Sequence, residues 1–272
     1  MILVESIYIG HGAPLNAIWD TKYRDHIQQF AQQTDLPEAI VVVSAHFERH
    51  LPLQITSASR PGIVYDYYGF PEEMYQLQYD PPGDPNLAKT LAASLEKIGL
   101  NPQLNPKQGL DHGAWVPLKV MYPDATIPIL QISIPIPRGP EDLYRIGQQL
   151  RSFRDQGIMF MGSGNLIHNL PHALSKLNQS GLGINAFTQL PAEQWAVEID
   201  QWLKTQLDTQ QYQLLLRASQ ELEHFKAAAP TTEHFDPLYF ILGTMTDSEG
   251  ISYIHEGFEG GSISMRSFSA QS

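Results

Sequence analysis

The sequence contains no cysteine. That absence excludes disulfides, iron–sulfur clusters, thiolate-bound zinc and a cysteine nucleophile, so any metal must be held by histidine or carboxylate. Positive charge is also scarce: 17 Lys and Arg stand against 29 Asp and Glu, for a formal net charge of -12. With no basic cluster along its length, the chain lacks the footprint that binds a nucleic-acid backbone or an anionic membrane surface. Long apolar runs are missing as well. No stretch approaches the roughly 20 residues of a membrane span, and the first ten residues lack the basic flank and apolar core of a signal peptide. A cytoplasmic location is the expectation. No internal repeat, charged block or low-complexity linker interrupts the chain, so residues 1–272 read as a single domain.

What is present is an ordinary globular composition, 42% hydrophobic and 17% charged, in which buried strands alternate with amphipathic helices. Residues 3–9, 39–44, 127–134 and 158–161 read as strands covered on both faces, and residues 52–58 and 74–79 as shorter ones. Helices are expected over 13–33, 85–97, 141–153, most of 190–229, and 238–242, with a polar loop at 177–183. Residues 251–268 read as two strands joined at 257–261, a hairpin at a sheet edge. This pattern specifies an α/β fold: a largely parallel central sheet flanked by helices, with antiparallel edge strands.

The chemistry-bearing residues are histidines. His11, between Gly10 and Gly12, His46, in Ala45-His46-Phe47-Glu48, and His168 each lie just beyond a buried strand. Parallel strands deliver their carboxyl ends to one edge of the sheet, where ligands of open α/β sheets bind, so these three side chains converge. With no thiolate available, two histidines plus a further histidine or carboxylate suit Fe(II), Mn(II) or Zn(II). His112 sits beside Gly113 just before a short helix, and His234 just outside the helix that Asp236-Pro237 starts. The remaining histidines, at 26, 50, 172, 224 and 255, occupy polar or helical contexts and read as surface or structural groups. The aromatic loop of Tyr65, Tyr67, Tyr68 and Phe70 reads as packing, with a wall for a flat ligand as the alternative. Two familiar hydrolase signatures do not fit. Gly162-Ser163-Gly164 lacks the outer glycines of a nucleophile elbow, and the His168/His172 pair lacks the following glutamate of a zincin helix and has Pro171 between its members.

Taken together and in order, Gly10-His11-Gly12-Ala13-Pro14, Ser44-Ala45-His46-Phe47-Glu48, Gly109-Leu110-Asp111-His112-Gly113-Ala114-Trp115-Val116-Pro117-Leu118, Gly162-Ser163-Gly164 through His168-Asn169-Leu170, and Thr232-Glu233-His234-Phe235 with Pro237-Leu238 resemble the class III extradiol ring-cleaving dioxygenases, in particular the 4,5-DOPA extradiol dioxygenase branch. The resemblance runs from about residue 7 to residue 243. It implies a single α/β domain carrying a nonheme metal, usually Fe(II) and in some bacterial members zinc, that cleaves a catechol with O2. Carried over by position, His11 and His46 match the first two metal ligands, His168 the acid/base histidine, and His112 a histidine beside substrate or dioxygen. For the third ligand the broader class uses glutamate and the DOPA-type branch histidine. Glu233 and His234 are adjacent here, and His234 is the expected ligand. The substrate-specificity motif of the plant enzymes is not found around residues 177–181. A zinc-dependent hydrolase using the same histidines, and a noncatalytic binding protein retaining the fold, are the competing readings.

Overall fold

In the computed structural model, which describes residues 4–137 and 139–271, the alternating pattern folds into one central sheet between two helical layers. Its strands are β1 (Ile7–Gly10), β2 (Ala39–Ser44), β3 (Ile129–Gln131), β4 (Ile158–Gly164), β5 (Gly250–His255) and β6 (Ser267–Gln271). They lie in the order β3-β2-β4-β1-β6-β5. The first four are mutually parallel, and β6 runs antiparallel to both β1 and β5.

Because successive side chains on a strand point to opposite faces, each central strand feeds two cores. Ile7, Ile9, Ile40, Val42, Met159 and Met161 enter one, while Tyr8, Val41, Val43 and Phe160 enter the other. The first is closed by α1 (Lys22–Gln33) and α3 (His112–Met121), which contribute Tyr23, Ile27, Trp115 and Leu118. The second is closed by α2 (Pro85–Glu96), α4 (Pro140–Leu150), α6 (Gln194–Asp208) and α7 (Asp236–Thr244). The remaining long helix, α5 (Leu170–Ser180), follows β4. Among the described residues no helix is long and apolar enough to cross a membrane.

Several elements depart from the sequence pattern for local reasons. Residues 13–33 are not one helix: a 3-10 turn at Pro14–Ala17 is followed by a break, and α1 starts after Thr21, whose hydroxyl accepts from the backbone N–H of Arg24 at 3.2 Å. Residues 74–79 alternate like a strand but form a 3-10 turn, Glu72–Tyr75, and then coil, in which the Tyr79 hydroxyl bonds the carbonyls of Leu118 and Tyr122 at the end of α3. The apolar run 127–134 splits, since Ile134–Ile136 leaves the sheet to pair with Glu48–His50. Residues 177–180 belong to α5, which buries only Ala173 and Leu177 and ends at Gly181 in the left-handed conformation; its polar exposed face mimics a loop. Beyond α6, residues up to 229 break into three short helices. The tail strands do pair antiparallel, but β6 inserts between β1 and β5, leaving β5 at the edge, and the connection forms a separate ladder of Phe258–Glu259 with Ile263–Ser264. Leu3, part of the expected first strand, lies outside the described residues.

Candidate functional site

The strand register sets the site. Gly10 of β1 pairs with Gly164 of β4, and Ser44 of β2 with Ser163, so the three strands end level. His11 follows β1 directly and His46 stands two residues beyond β2. Gly12 turns the chain with φ near +59°, and a Cβ there would lie 2.5 Å from both a Glu259 carboxylate oxygen and the Met265 sulfur. Glu259 receives the N–H of Ala13 at 2.9 Å and the Asn16 side-chain amide at 2.8 Å, which fixes the turn after His11; burial raises its carboxyl to about 7. His234 arrives from the segment before α7. Its carbonyl accepts from the N–H of Asn165 at 2.9 Å and from the Tyr8 hydroxyl at 3.3 Å. His112 is the first residue of α3, and Asp111 caps that helix through the N–H of Ala114 at 3.1 Å.

These elements bring five imidazoles together. Nε2 of His11 and Nε2 of His46 are 3.1 Å apart, and one nitrogen each of His11, His46 and His234 fall within 4.8 Å of one another. Two imidazole nitrogens bound to one ion at about 2.1 Å, at angles between 90° and tetrahedral, stand about 3.0–3.4 Å apart. The observed spacing therefore fits a shared divalent ion. The ring of His112 lies 3.9 Å from that of His46, and the ring of His168 stacks on that of His234 at 3.4 Å with 7° between planes. Burial, and then the neighbouring histidines, hold His11 and His234 well below the usual imidazole range; burial pushes His46 down to about 3 and His168 to about 4. Neutral imidazoles are the form a metal requires.

The outer nitrogens are committed by hydrogen bonds that fix the inner ones. The Ser163 hydroxyl donates to the Gly113 carbonyl, so at 3.0 Å from Nδ1 of His11 its oxygen accepts, and His11 carries its proton on Nδ1. Glu233 faces Nδ1 of His234 at 3.1 Å and is itself bonded by the Thr231 hydroxyl at 2.8 Å. Of the two adjacent candidates, His234 is the one grouped with His11 and His46, while Glu233 lies against Nδ1 of that ring and groups with His168 and His234. Asp111, wholly buried, accepts from the Ser44 hydroxyl at 2.6 Å, whose oxygen takes the N–H of His46 at 3.2 Å. Asp66 binds His112 twice, receiving both its backbone N–H and its Nδ1 at 3.0 Å.

All five histidines selected from the sequence thus meet, and the other five are not among the clustered rings. Sequence reasoning misses Asp66, Ser163 as a histidine partner, and Glu259. Asp66 is surrounded by aromatic residues with no pattern to mark it, and the glycines flanking Ser163 suggest a nucleophile turn and not a histidine partner. The Thr-Glu-His order at 232–234 does place a carboxylate beside the third imidazole, a local signal for an outer partner.

Comparison with known proteins adds an independent line. The family model described as the catalytic LigB subunit of aromatic ring-opening dioxygenase matches residues 7–263. A 4,5-DOPA dioxygenase extradiol from Beta vulgaris is 32% identical over 97% of this chain and 95% of its own length, and one from Escherichia coli strain K12 is 35% identical over 96% and 93%. A crystal structure of an uncharacterized Escherichia coli K12 protein superposes with a TM-score of 0.77 at 31% identity, covering 97% of this chain and 98% of that one.

Proposed function

Because the chain belongs to the family of the catalytic LigB subunit of aromatic ring-opening dioxygenases, we propose that it is a nonheme metal-dependent extradiol dioxygenase that cleaves a catechol of the DOPA type with O2. His11, His46 and His234 are the proposed ligands, Fe(II) the proposed ion and Zn(II) the alternative occupant. One observation supports the reading: Nε2 of His11 and Nε2 of His46 are 3.1 Å apart, a nitrogen of His234 lies within 4.8 Å of a nitrogen of each, and Nδ1 of His11 and Nδ1 of His234 are already committed to Ser163 and Glu233. When bound, a divalent ion on such an open three-ligand face supplies Lewis acidity toward the catechol oxygens and a path for electrons from the ring to dioxygen.

The protein's own groups do the rest. His168, buried, held down to about 4 and stacked on His234, is the proposed group that takes a catechol hydroxyl proton and later returns it. His112, whose ring lies beside that of His46, is the proposed hydrogen-bond partner of oxygen. Overall, both atoms of O2 enter the product, and the ring carbon–carbon bond beside the two hydroxyls breaks to give a semialdehyde.

The test is oxygen uptake by anaerobically Fe(II)-loaded protein over a catechol panel of varied side-chain charge, with products identified by mass. A ring-opened product from the wild type is expected, with loss of both metal and turnover in His11→Ala and His46→Ala. His168→Ala is expected to keep its metal and lose most turnover. Undiminished oxygen uptake in the His11 and His46 variants refutes the site.

A further inference from the structure

We infer that Asp66 is a positioning residue that fixes the tautomer and the aim of His112. Its consequence for turnover rests on the ring-cleaving reading above; its consequence for the tautomer does not.

The two residues are 46 positions apart, yet one oxygen of Asp66 takes two bonds from His112: its backbone N–H and its Nδ1, each at 3.0 Å. An ionised carboxylate only accepts, so Nδ1 must donate and carry the proton, and Nε2 is left to face the site. The backbone bond satisfies an amide of the first turn of α3, which has no partner within its own helix. The same oxygen therefore anchors the helix start and the ring at once.

The loop holding Asp66 is built for rigidity. Trp115, one turn into α3, donates from its indole to the Val64 carbonyl at 3.2 Å, and the Tyr67 hydroxyl donates to the Met74 carbonyl at 2.8 Å. The Tyr67 ring meets His112 edge to face at 5.8 Å and lies 6.4 Å from Trp115. The aromatic loop thus clamps the carboxylate against the helix it serves. Among the described residues no comparable carboxylate bond is made by His168, whose ring is instead stacked on His234. The two histidines that flank the proposed ligands differ in support, and only His112 has a fixed anionic partner among the described residues.

Long-range 15N–1H spectra of zinc-loaded protein labelled at histidine test the tautomer directly. His112 is expected with its proton on Nδ1 in the wild type, to keep it in Asp66→Asn, where an amide oxygen can still accept, and to show a mixture in Asp66→Ala. A wild-type His112 protonated on Nε2 alone overturns the inference, and this readout stands even where a variant folds poorly or no catechol turns over. In the Fe(II) enzyme, Asp66→Ala is expected to lower kcat about 10–100-fold with KM little changed, Asp66→Asn less. In a His112→Ala background, Asp66→Ala is expected to add no further loss of kcat, because the ring it aims is gone, while the lost backbone bond at the start of α3 still lowers the melting temperature. Independent, multiplying losses overturn it. Absence of ring cleavage in the wild type would instead fail the functional reading and leave the spectra to decide this one.

Discussion

Gly164→Ala is the sharpest single test of how the fold holds the third proposed ligand. An ideal Cβ on Gly164 would lie 2.0 Å from the carbonyl oxygen of His234 and 3.1 Å from the Tyr8 hydroxyl. Real Cβ contacts essentially never fall below 3.0 Å, so the His234 carbonyl must retreat by at least the difference, about 1 Å. Its bonds from Asn165 at 2.9 Å and Tyr8 at 3.3 Å then stretch beyond hydrogen-bonding range. The direct cost of overpacking is at least about 1–3 kcal/mol, because the atom in the way is backbone. The functional cost is larger, because a metal–nitrogen bond of about 2.1 Å cannot follow a displacement of that size, and a 1 Å misplacement near the chemistry costs about 100-fold in rate. Gly164 sits in ordinary strand backbone, so the alanine introduces no conformational penalty of its own. Gly250→Ala is the control, since nothing lies within 4 Å of its added Cβ. The assay is metal per chain after dialysis against a limiting Fe(II) or Zn(II) buffer, paired with thermal unfolding and oxygen uptake. Gly164→Ala is expected to unfold a few degrees lower, hold metal weakly and lose about 100-fold in turnover, while Gly250→Ala matches the wild type. A Gly164→Ala protein with wild-type metal affinity and rate would show that His234 is not held by this contact, or is not a ligand.

Two further predictions concern stability away from the proposed ligands. Arg154 and Glu249 form a bidentate ion pair whose side chains are each 1% exposed, with the guanidinium also bonding the carbonyls of Val4 at 2.8 Å and Thr244 at 2.9 Å. Glu249→Gln strands that cation and is expected to cost about 3–5 kcal/mol in urea unfolding, with metal per folded chain unchanged; a loss under 1 kcal/mol refutes the buried-charge argument. His255 is pushed down to about 4 by burial and by His26, whose Nδ1 lies 3.0 Å from its own. An unfolded histidine titrates near 6.5, so between those values the unfolded chain binds more protons and stability falls as pH falls from about 6.5 toward 4. His255→Gln is expected to flatten that part of the pH–stability curve by up to about 1.4 kcal/mol per pH unit, and by less for the ring's partial exposure. An unchanged slope would place the protonation elsewhere.

How much of this was legible in the sequence follows from how local each feature is. Ile7–Gly10, Ala39–Ser44 and Ile158–Gly164 are runs whose neighbours along the chain already dictate a doubly covered strand, so the edge to which His11 and His46 are delivered could be read directly. His234 could not be placed that way. It reaches the cluster because its carbonyl docks on Asn165 and Tyr8, contacts spanning 69 and 226 positions, and only resemblance to a family pointed to it. The errors have the same origin. Residues 74–79 alternate because Tyr79 reaches back to α3, not because a partner strand exists. Residues 177–180 looked like a loop because α5 buries so little of itself that its apolar face barely registers.

This difference in legibility also separates two layers of the site. The inner imidazoles of His11 and His46 hang from strand ends that the sheet register holds level, so their mutual distance is a property of the fold. The groups that assign protons act through other contacts: Ser163, itself on β4, through its bond to a carbonyl of α3, Glu233 from the residue next to His234, Asp66 through an aromatic clamp. A change in the first layer must disturb the sheet, as Gly164→Ala does. A change in the second can leave the imidazoles in place and alter only which nitrogen carries hydrogen, as Asp66→Ala does. If that separation holds, metal affinity and turnover will respond to different residues, and Asp66→Ala will bind its ion like the wild type while handling protons poorly. Equal loss of both in Asp66→Ala would mean that the loop supports the metal directly and that the two layers are one.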